Sequence, residues 1–284
     1  MQTLFSQSLV TTILSAASAH SATLIDDGID PQLAAVLVGN NPESVKYIRI
    51  KAERAKETGV ILSVYHLDEK ASFEEVEKSI RFLANDTDIH GIILQLPLPF
   101  TFSAEQTDAL LALIPTTKDV DGLRGDWQKN TYRNSSYASL IEPQRYYLPP
   151  MVASVMSLLD HYNLPIIGKK IVIIGAGRLV GKPLRQFLDK IGVDVTSVDE
   201  DTPKILEITT QADILISGTG QKDLITYQWV KEGAVVIDCA SDVHSDSVIQ
   251  IASALAPPKG GVGPLTIAWL LYNTVLAARL NTQL

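Results

Sequence analysis

Cysteine is almost absent: Cys239 is the only one among 284 residues. A single thiol excludes an intramolecular disulfide and any cysteine-rich zinc site, and it favours a reducing, cytoplasmic setting. Positive charge is also scarce, with 24 Lys and Arg against 32 Asp and Glu and a formal net charge of -8. A broad nucleic-acid footprint is therefore not expected, although a local cationic pocket is compatible with that balance. No Lys or Arg precedes Lys46, so the segment "LVTTILSAASAHSA" lacks the positive n-region of a secretion signal. Leu9, Ile13 and Ala16 follow helical spacing instead. No uncharged apolar run is expected to span a bilayer, and no membrane partner is expected. His20, His66, His90, His161 and His244 are scattered without ligand spacing, which argues against a metal site, and no Ser-His-Asp arrangement is evident.

What is present suits a packed α/β protein. Hydrophobic residues make up 46% of the chain and charged residues 20%, and the length predicts two domains of about 100 to 200 residues each. "PQLAAVLVG" (31–39) reads as a buried strand, 43–60 as an amphipathic helix and "GVILSVYHL" (59–67) as a second strand. A helix over 73–83 and the strand "IHGIILQLPLP" (89–99) follow. Strands alternating with helices imply parallel pairing. From Thr116 to Pro150 the periodicity is lost, which marks an inter-domain crossing, and 152–162 reads as a linking helix.

The second half opens with "GKKIVIIGAGRLVGKP" (168–183), where a strand over 170–174 runs into Gly175, Gly177 and Gly181. Glycines there admit a pyrophosphate to the backbone, and the following helix N-terminus supplies unpaired N–H groups. The spacing GxGxxxG is one residue wider than the usual dinucleotide fingerprint, and an ordinary strand-to-helix turn is the competing reading. Further strands at 194–199, 212–220 and 233–240 fit a nucleotide-binding half. Asp199 ends the 194–199 strand, the second of this half, and opens the acidic run "DED". An acid there suits the ribose hydroxyls of NAD and repels the extra phosphate of NADP, whereas Arg178 could still reach that phosphate.

Several side chains admit two readings. Tyr47 and Lys51 stand one turn apart beside the apolar stripe of the 43–60 helix, as ligand contacts or as a helix-edge aromatic and a snorkelling cation. Gln95 is either a site amide or a strand-end cap, and "DVDG" (119–122) is either an anchor or a turn held by local hydrogen bonds.

The stretches "VGNNPESVKYIRIKAERAKETGV", "DIHGIILQLPLP", "KDVDGL", "GAGRLVGKP", "ADILISGTG", "KEGAVVIDCA" and "GGVGPLTIAWLLYNTV" occur in an order and spacing that resembles the bifunctional methylenetetrahydrofolate dehydrogenase/cyclohydrolase family over nearly the whole chain. The resemblance implies a two-domain α/β fold. An N-terminal α/β catalytic domain (1–145 plus 265–284) would bind folate. A Rossmann-like NAD(P)-binding domain (146–264) would follow, with a C-terminal helix returning to the first domain and folate in the cleft. Lys51 is implied as the catalytic lysine, Gln95 as its partner, and Tyr47 as both a catalytic-site and a stacking residue. Asp121 is implied as the pterin anchor, with Pro97 and Pro99 as a wall. Gly261, Val262, Gly263 and Pro264 are implied to line the cleft, and Gly175, Gly177, Arg178, Gly181, Asp199 and Gly218 to hold the cofactor. NAD or NADP is the implied cofactor, a tetrahydrofolate derivative the substrate, and a homodimer the assembly.

Three departures cluster on the cofactor side. Pro149, Pro150, Met151 and Val152 replace the family's usual Pro-Cys-Thr-Pro entry to the linking helix. Gly177 stands where a serine is common, and "RGDWQKN" replaces an Asn-x-Gly pattern. They motivate one alternative, a monofunctional cyclohydrolase or a folate-binding protein without redox turnover. Another, an unrelated shikimate- or amino-acid-dehydrogenase-like protein, leaves "YIRIK", "QLPLP" and "KDVDG" unexplained. The helix expected over 265–278 has no charged residue and is expected to be buried.

Overall fold

The computed structural model describes residues 1–124 and 148–282. Most of the "RGDWQKN" segment and the expected boundary at 145/146 lie outside the described residues. The chain divides into two compact units. Among the described residues one comprises 12–124, 148–150 and 267–282, and the other 1–11 and 151–266. This differs from the expected division chiefly at residues 1–11, which join the nucleotide unit because β1 (Gln2–Thr3) pairs in parallel with β9 (Ala254–Ala256). Strands of two and three residues are too short to show a period, so neither was visible in the sequence.

The first unit is built on a three-stranded parallel sheet of order β3-β2-β4, with β2 at Gln32–Val38, β3 at Ile61–Leu67 and β4 at Gly91–Leu94. Six of the seven β2 residues are buried, which is why "LAAVLV" shows no alternation: both faces of a central parallel strand are covered. Helix α2 (Pro42–Thr58) starts where the Asn41 side chain accepts from the Glu43 and Ser44 N–H groups, each at 3.1 Å. It stops at Gly59, whose φ of 72° places it in the left-handed region. Helices α3 (Phe73–Asn85) and α4 (Ala104–Ala112) each open on a capping box, Ser72 with Glu75 and Ser103 with Gln106. Sequence periodicity gave α3 but not α4, although Ser103 and Gln106 carried its start signal. Val36, Ile80, Ile92 and Leu110 lie in the core that these elements share.

The nucleotide unit contains a parallel sheet of order β1-β9-β8-β7-β5-β6, with β5 at Ile171–Ile174, β6 at Val195–Val198, β7 at Ile214–Ser217 and β8 at Val235–Asp238. Strand order reverses at β5, which pairs with β6 on one side and β7 on the other. In open α/β sheets this reversal leaves a crevice beyond the carboxyl ends of the two strands. Helix α5 (Pro150–His161) enters the unit, α6 (Gly181–Lys190) follows β5, and the short α7 (Ile205–Thr209) and α8 (Ser245–Val248) complete it.

Two long helices have residues in both units. The last, α9 (Val262–Thr282), extends the expected 265–278 segment at both ends, and Leu265, Leu271, Val275 and Ala278 within it are buried. The first, α1 (Gln7–Asp26), corrects an expectation: by length and composition it is apolar enough to cross a membrane. Its alanines and serines let a low average polarity persist over the full length. Even so, Leu9, Val10, Ile13, Leu14, Ala17 and Leu24 are buried while Thr11, Thr12 and Ser15 are exposed, the one-sided pattern of a helix packed on a protein core.

Candidate active site

The caps of α2 fix which of its side chains point inward. Ile48 and Ala55 are buried, Lys51 is half-buried, and Tyr47 one turn earlier leaves 45% of its surface exposed. Lys51 Nζ donates to Gln95 Oε1 at 2.9 Å. Gln95 follows β4 directly, is buried, and donates its backbone N–H to the Val36 carbonyl at 2.9 Å. Its Nε2 donates to the Leu96 carbonyl at 2.7 Å, which settles the amide orientation and turns Oε1 toward the lysine. Leu96 and Pro97 are joined by a cis peptide bond, and Pro97 is exposed beside this corner.

Burial holds the Lys51 ammonium below the ordinary lysine value, and the negative charge of Asp121 opposes that shift. Burial pushes the Asp121 carboxyl up, opposed by the Lys51 charge. Desolvation outweighs mutual attraction at both groups, so the pair is moved toward neutral amine and neutral acid. A lysine shifted in this direction has a larger basic fraction at neutral pH than a free one.

The structure separates the two acids of "DVDG". Asp119 is the turn residue: its carboxylate accepts from the Leu123 N–H at 3.3 Å and the Arg124 N–H at 3.0 Å. Asp121 is the one coupled to Lys51. Gly122 has φ 67°, and a Cβ on it would stand 2.6 Å from Pro149 Cγ, so Pro149, the first residue of the departing "PPMV" segment, braces this turn. Asn273 of α9 was not singled out from the sequence. It is buried, and its Nδ2 donates to Val120 O at 2.9 Å and Leu148 O at 2.8 Å. An amide within the uncharged 265–278 stretch was the available signal, since a buried polar group needs partners.

In the nucleotide unit the glycines divide by what surrounds them. A Cβ on Gly181 would lie 1.8 Å from Gly175 O, one on Gly175 2.8 Å from Gly218 O, and one on Gly218 2.4 Å from Val180 Cγ1. These three close the β5, α6 and β7 junction on itself. Gly177 differs, because a Cβ there would meet nothing within 4 Å. An open backbone position in the loop between β5 and α6, beside the strand-order reversal, fits a pyrophosphate. Beyond β7, the buried Asp242 accepts from Ser217 Oγ and Thr219 N, both at 2.6 Å, and its buried Oδ1 has no partner among the described residues. Asp238 is pushed up by burial against backbone N–H groups of Val243, Asp242 and Ala240. The Cys239 thiol between them is pushed up by burial and both acids, which favours its un-ionised form.

Asp199 lies just past β6, exposed, in a turn closed by Thr202: the Asp199 N–H donates to Thr202 Oγ1 at 2.9 Å and Thr202 Oγ1 donates back to Asp199 Oδ1 at 2.8 Å. Arg178 is half-buried. Just before α9, a Cβ on Gly261 would stand 2.3 Å from Pro257 O, while in the first turn of α9 Gly263 faces open space and Pro264 is exposed. Val262 is fully buried. No group of three or more His, Cys, Asp or Glu arranged to hold a metal occurs among the described residues.

Comparison with known proteins accounts for both units. The chain is 38% identical over 270 residues to the bifunctional protein FolD of Nitrosospira multiformis, covering 92% of this chain and 90% of that protein. The bifunctional FolD methylenetetrahydrofolate dehydrogenase/cyclohydrolase of Campylobacter jejuni superimposes with a TM-score of 0.87 at 34% identity over 100% of both chains. The Trypanosoma brucei FolD, solved with NADP and an inhibitor, gives 0.86 at 26% identity, covering 99% of this chain and 98% of that one. Residues 5–121 match the model of the tetrahydrofolate dehydrogenase/cyclohydrolase catalytic domain and residues 149–282 that of its NAD(P)-binding domain, and the chain belongs to this family.

Proposed function

We propose that this chain is a bifunctional methylenetetrahydrofolate dehydrogenase and methenyltetrahydrofolate cyclohydrolase. It oxidises 5,10-methylenetetrahydrofolate to the 5,10-methenyl cation and hydrolyses that cation to 10-formyltetrahydrofolate. A bound nicotinamide nucleotide supplies the hydride acceptor for the first step. The observation carrying the second is the half-buried Lys51 amine, held by Gln95 and shifted toward its neutral form.

Lys51 takes a proton from the water that attacks the methenyl carbon. The ammonium so formed donates to Gln95 Oε1 and is stabilised by Asp121. As the bond from that carbon to N5 breaks, Lys51 returns a proton to N5, and the second water proton goes to solvent. General acid-base assistance of this kind contributes about 100- to 10,000-fold. Tyr47, exposed one turn away, stacks on the flat part of the folate. Asp121 hydrogen-bonds the amino and ring N–H groups of the pterin, and Pro97 and Pro99 form the adjacent wall. Gly261, Val262, Gly263 and Pro264, in the segment that opens α9, are assigned to ligand binding.

The glycine loop with Gly177 and Arg178 holds the pyrophosphate. Asp199 receives the ribose hydroxyls, and the following Glu200 and Asp201 disfavour a 2′-phosphate, so NAD is preferred over NADP. A cytoplasmic homodimer belongs to the same reading. Its support is the single un-ionised thiol, which suits a reducing compartment, and light scattering tests the assembly.

One assay follows nicotinamide reduction and loss of the methenyl product together, with NAD and NADP in parallel. Lys51→Met is expected to abolish hydrolysis while the protein remains folded. A fully hydrolytic variant, or a strong NADP preference, overturns the corresponding assignment.

A further inference from the structure

Asn273 sits in the uncharged part of α9 with 2% of its surface exposed. Both of its amide hydrogens are used, and their targets are specific. Val120, whose carbonyl accepts one at 2.9 Å, immediately precedes Asp121. Leu148, whose carbonyl accepts the other at 2.8 Å, immediately precedes Pro149, the residue that braces Gly122 on the other side of Asp121. A planar NH2 group with two diverging hydrogens can bridge two carbonyls in this way, which a carboxylate or an isosteric leucine cannot. Asp119 fixes the Leu123 and Arg124 N–H groups further along the same turn. The backbone is thus pinned before and after Asp121.

We propose that Asn273 is a positioning residue for the reaction: by holding the Val120 and Leu148 carbonyls it sets where the Asp121 carboxylate stands relative to the Lys51 amine and the folate. The inference rests on the reading of Lys51 as acid-base group and Asp121 as folate anchor. Asp121 is the charged group acting on Lys51, from the turn beyond α4, while Gln95 at the end of β4 is a neutral amide. Asp121 raises the lysine value against burial, so its displacement lets that value fall further. The neutral amine is the active base, so the acid limb of the hydrolysis pH profile moves to lower pH.

The test uses the full-length chain with Asn273→Leu, which keeps the shape and removes both donors, and Asn273→Gln, which keeps the donors on a longer arm. The expected result is a rise in the folate KM of about 10- to 100-fold in Asn273→Leu, the order of loss that small misplacement produces, with the acid limb displaced downward. Asn273→Gln is expected to lie between Asn273→Leu and the parent. A purely structural role lowers the melting temperature and the active fraction but leaves KM and the limb where they were, and that outcome overturns the proposal. Should Asn273→Leu fail to fold, the same readouts on Asn273→Gln decide. Asp121→Asn is measured alongside. If it moves KM and the limb while the Asn273 variants do not, positioning alone is refuted; if it moves neither, the underlying reading fails and the proposal falls with it.

Discussion

Gly177, in the loop after β5, and Gly181, the first residue of α6, are four residues apart, and alanine at each should fail in a different way. At Gly181 the new methyl group would overlap Gly175 O at 1.8 Å and the Gly175 carbonyl carbon at 2.8 Å, both backbone atoms with no rotamer to relieve them. Overpacking costs about 1 to 3 kcal/mol and occasionally more, and a backbone clash this close belongs at the top of that range. With about 2 to 4 °C per kcal/mol for a chain of this order, Gly181→Ala should lower the melting temperature by about 6 to 12 °C. At Gly177 the methyl group meets nothing within 4 Å, and φ lies outside the left-handed region. Gly177→Ala should therefore melt at the parent temperature or slightly above it, since it restricts the unfolded chain. Its defect should be confined to the cofactor: a methyl group in the space kept for the pyrophosphate is expected to raise the NAD(P) KM about 10-fold, or about 1.4 kcal/mol. Thermal melts and cofactor titrations of the two variants separate the effects. A destabilised Gly177→Ala protein, or one with an unchanged cofactor KM, refutes the assignment of this open position to the ligand.

Two further variants test the electrostatics. Gln95→Glu places a carboxylate where the amide oxygen sits 2.9 Å from Lys51 Nζ. It should raise the lysine value and move the acid limb of hydrolysis to higher pH, opposite to the Asn273 variants; an unmoved limb means that Lys51 is not the titrating base. His90 is buried, its Nδ1 accepts from the Gln32 N–H at 3.2 Å, and burial together with Lys118 holds its value below the ordinary one. The unfolded chain therefore binds the proton more readily than the native one. The contribution of His90 to stability is full above about pH 6.5 and declines as pH falls from there toward the lowered native value, by at most about 1.4 kcal/mol per pH unit. His90→Asn keeps an acceptor and removes the titration, so denaturant melts between pH 7.5 and 5, as approximate end points chosen around that value, should show a flatter decline. An identical decline contradicts the claim.

Elements whose signals are local could be read from the order of residues alone. The apolar run of β2, the caps and stripe of α2, and the glycine loop after β5 all follow from residues within one turn or one strand of each other. They were legible for that reason, as was the family pattern built on them. The pairing of β1 with β9 was not, because two or three residues have no period and the partners stand about 250 positions apart. Nor did charge patterning tell Asp119 from Asp121: both are acids of one turn, and only folding puts the first on backbone N–H groups and the second in the field of Lys51. Val262 and Pro264 read as equivalent lining residues, yet the start of α9 buries one and exposes the other. Lys51 illustrates the division most directly. Its position on the edge of a helical stripe was written in the sequence, but the loss of water that moves it toward a neutral base, the Gln95 oxygen that holds it and the Asp121 charge that opposes the shift, from 44 and 70 residues away, come only with the packed chain. Desolvation and long-range charge are properties of the packed chain, so tertiary structure alone could supply them.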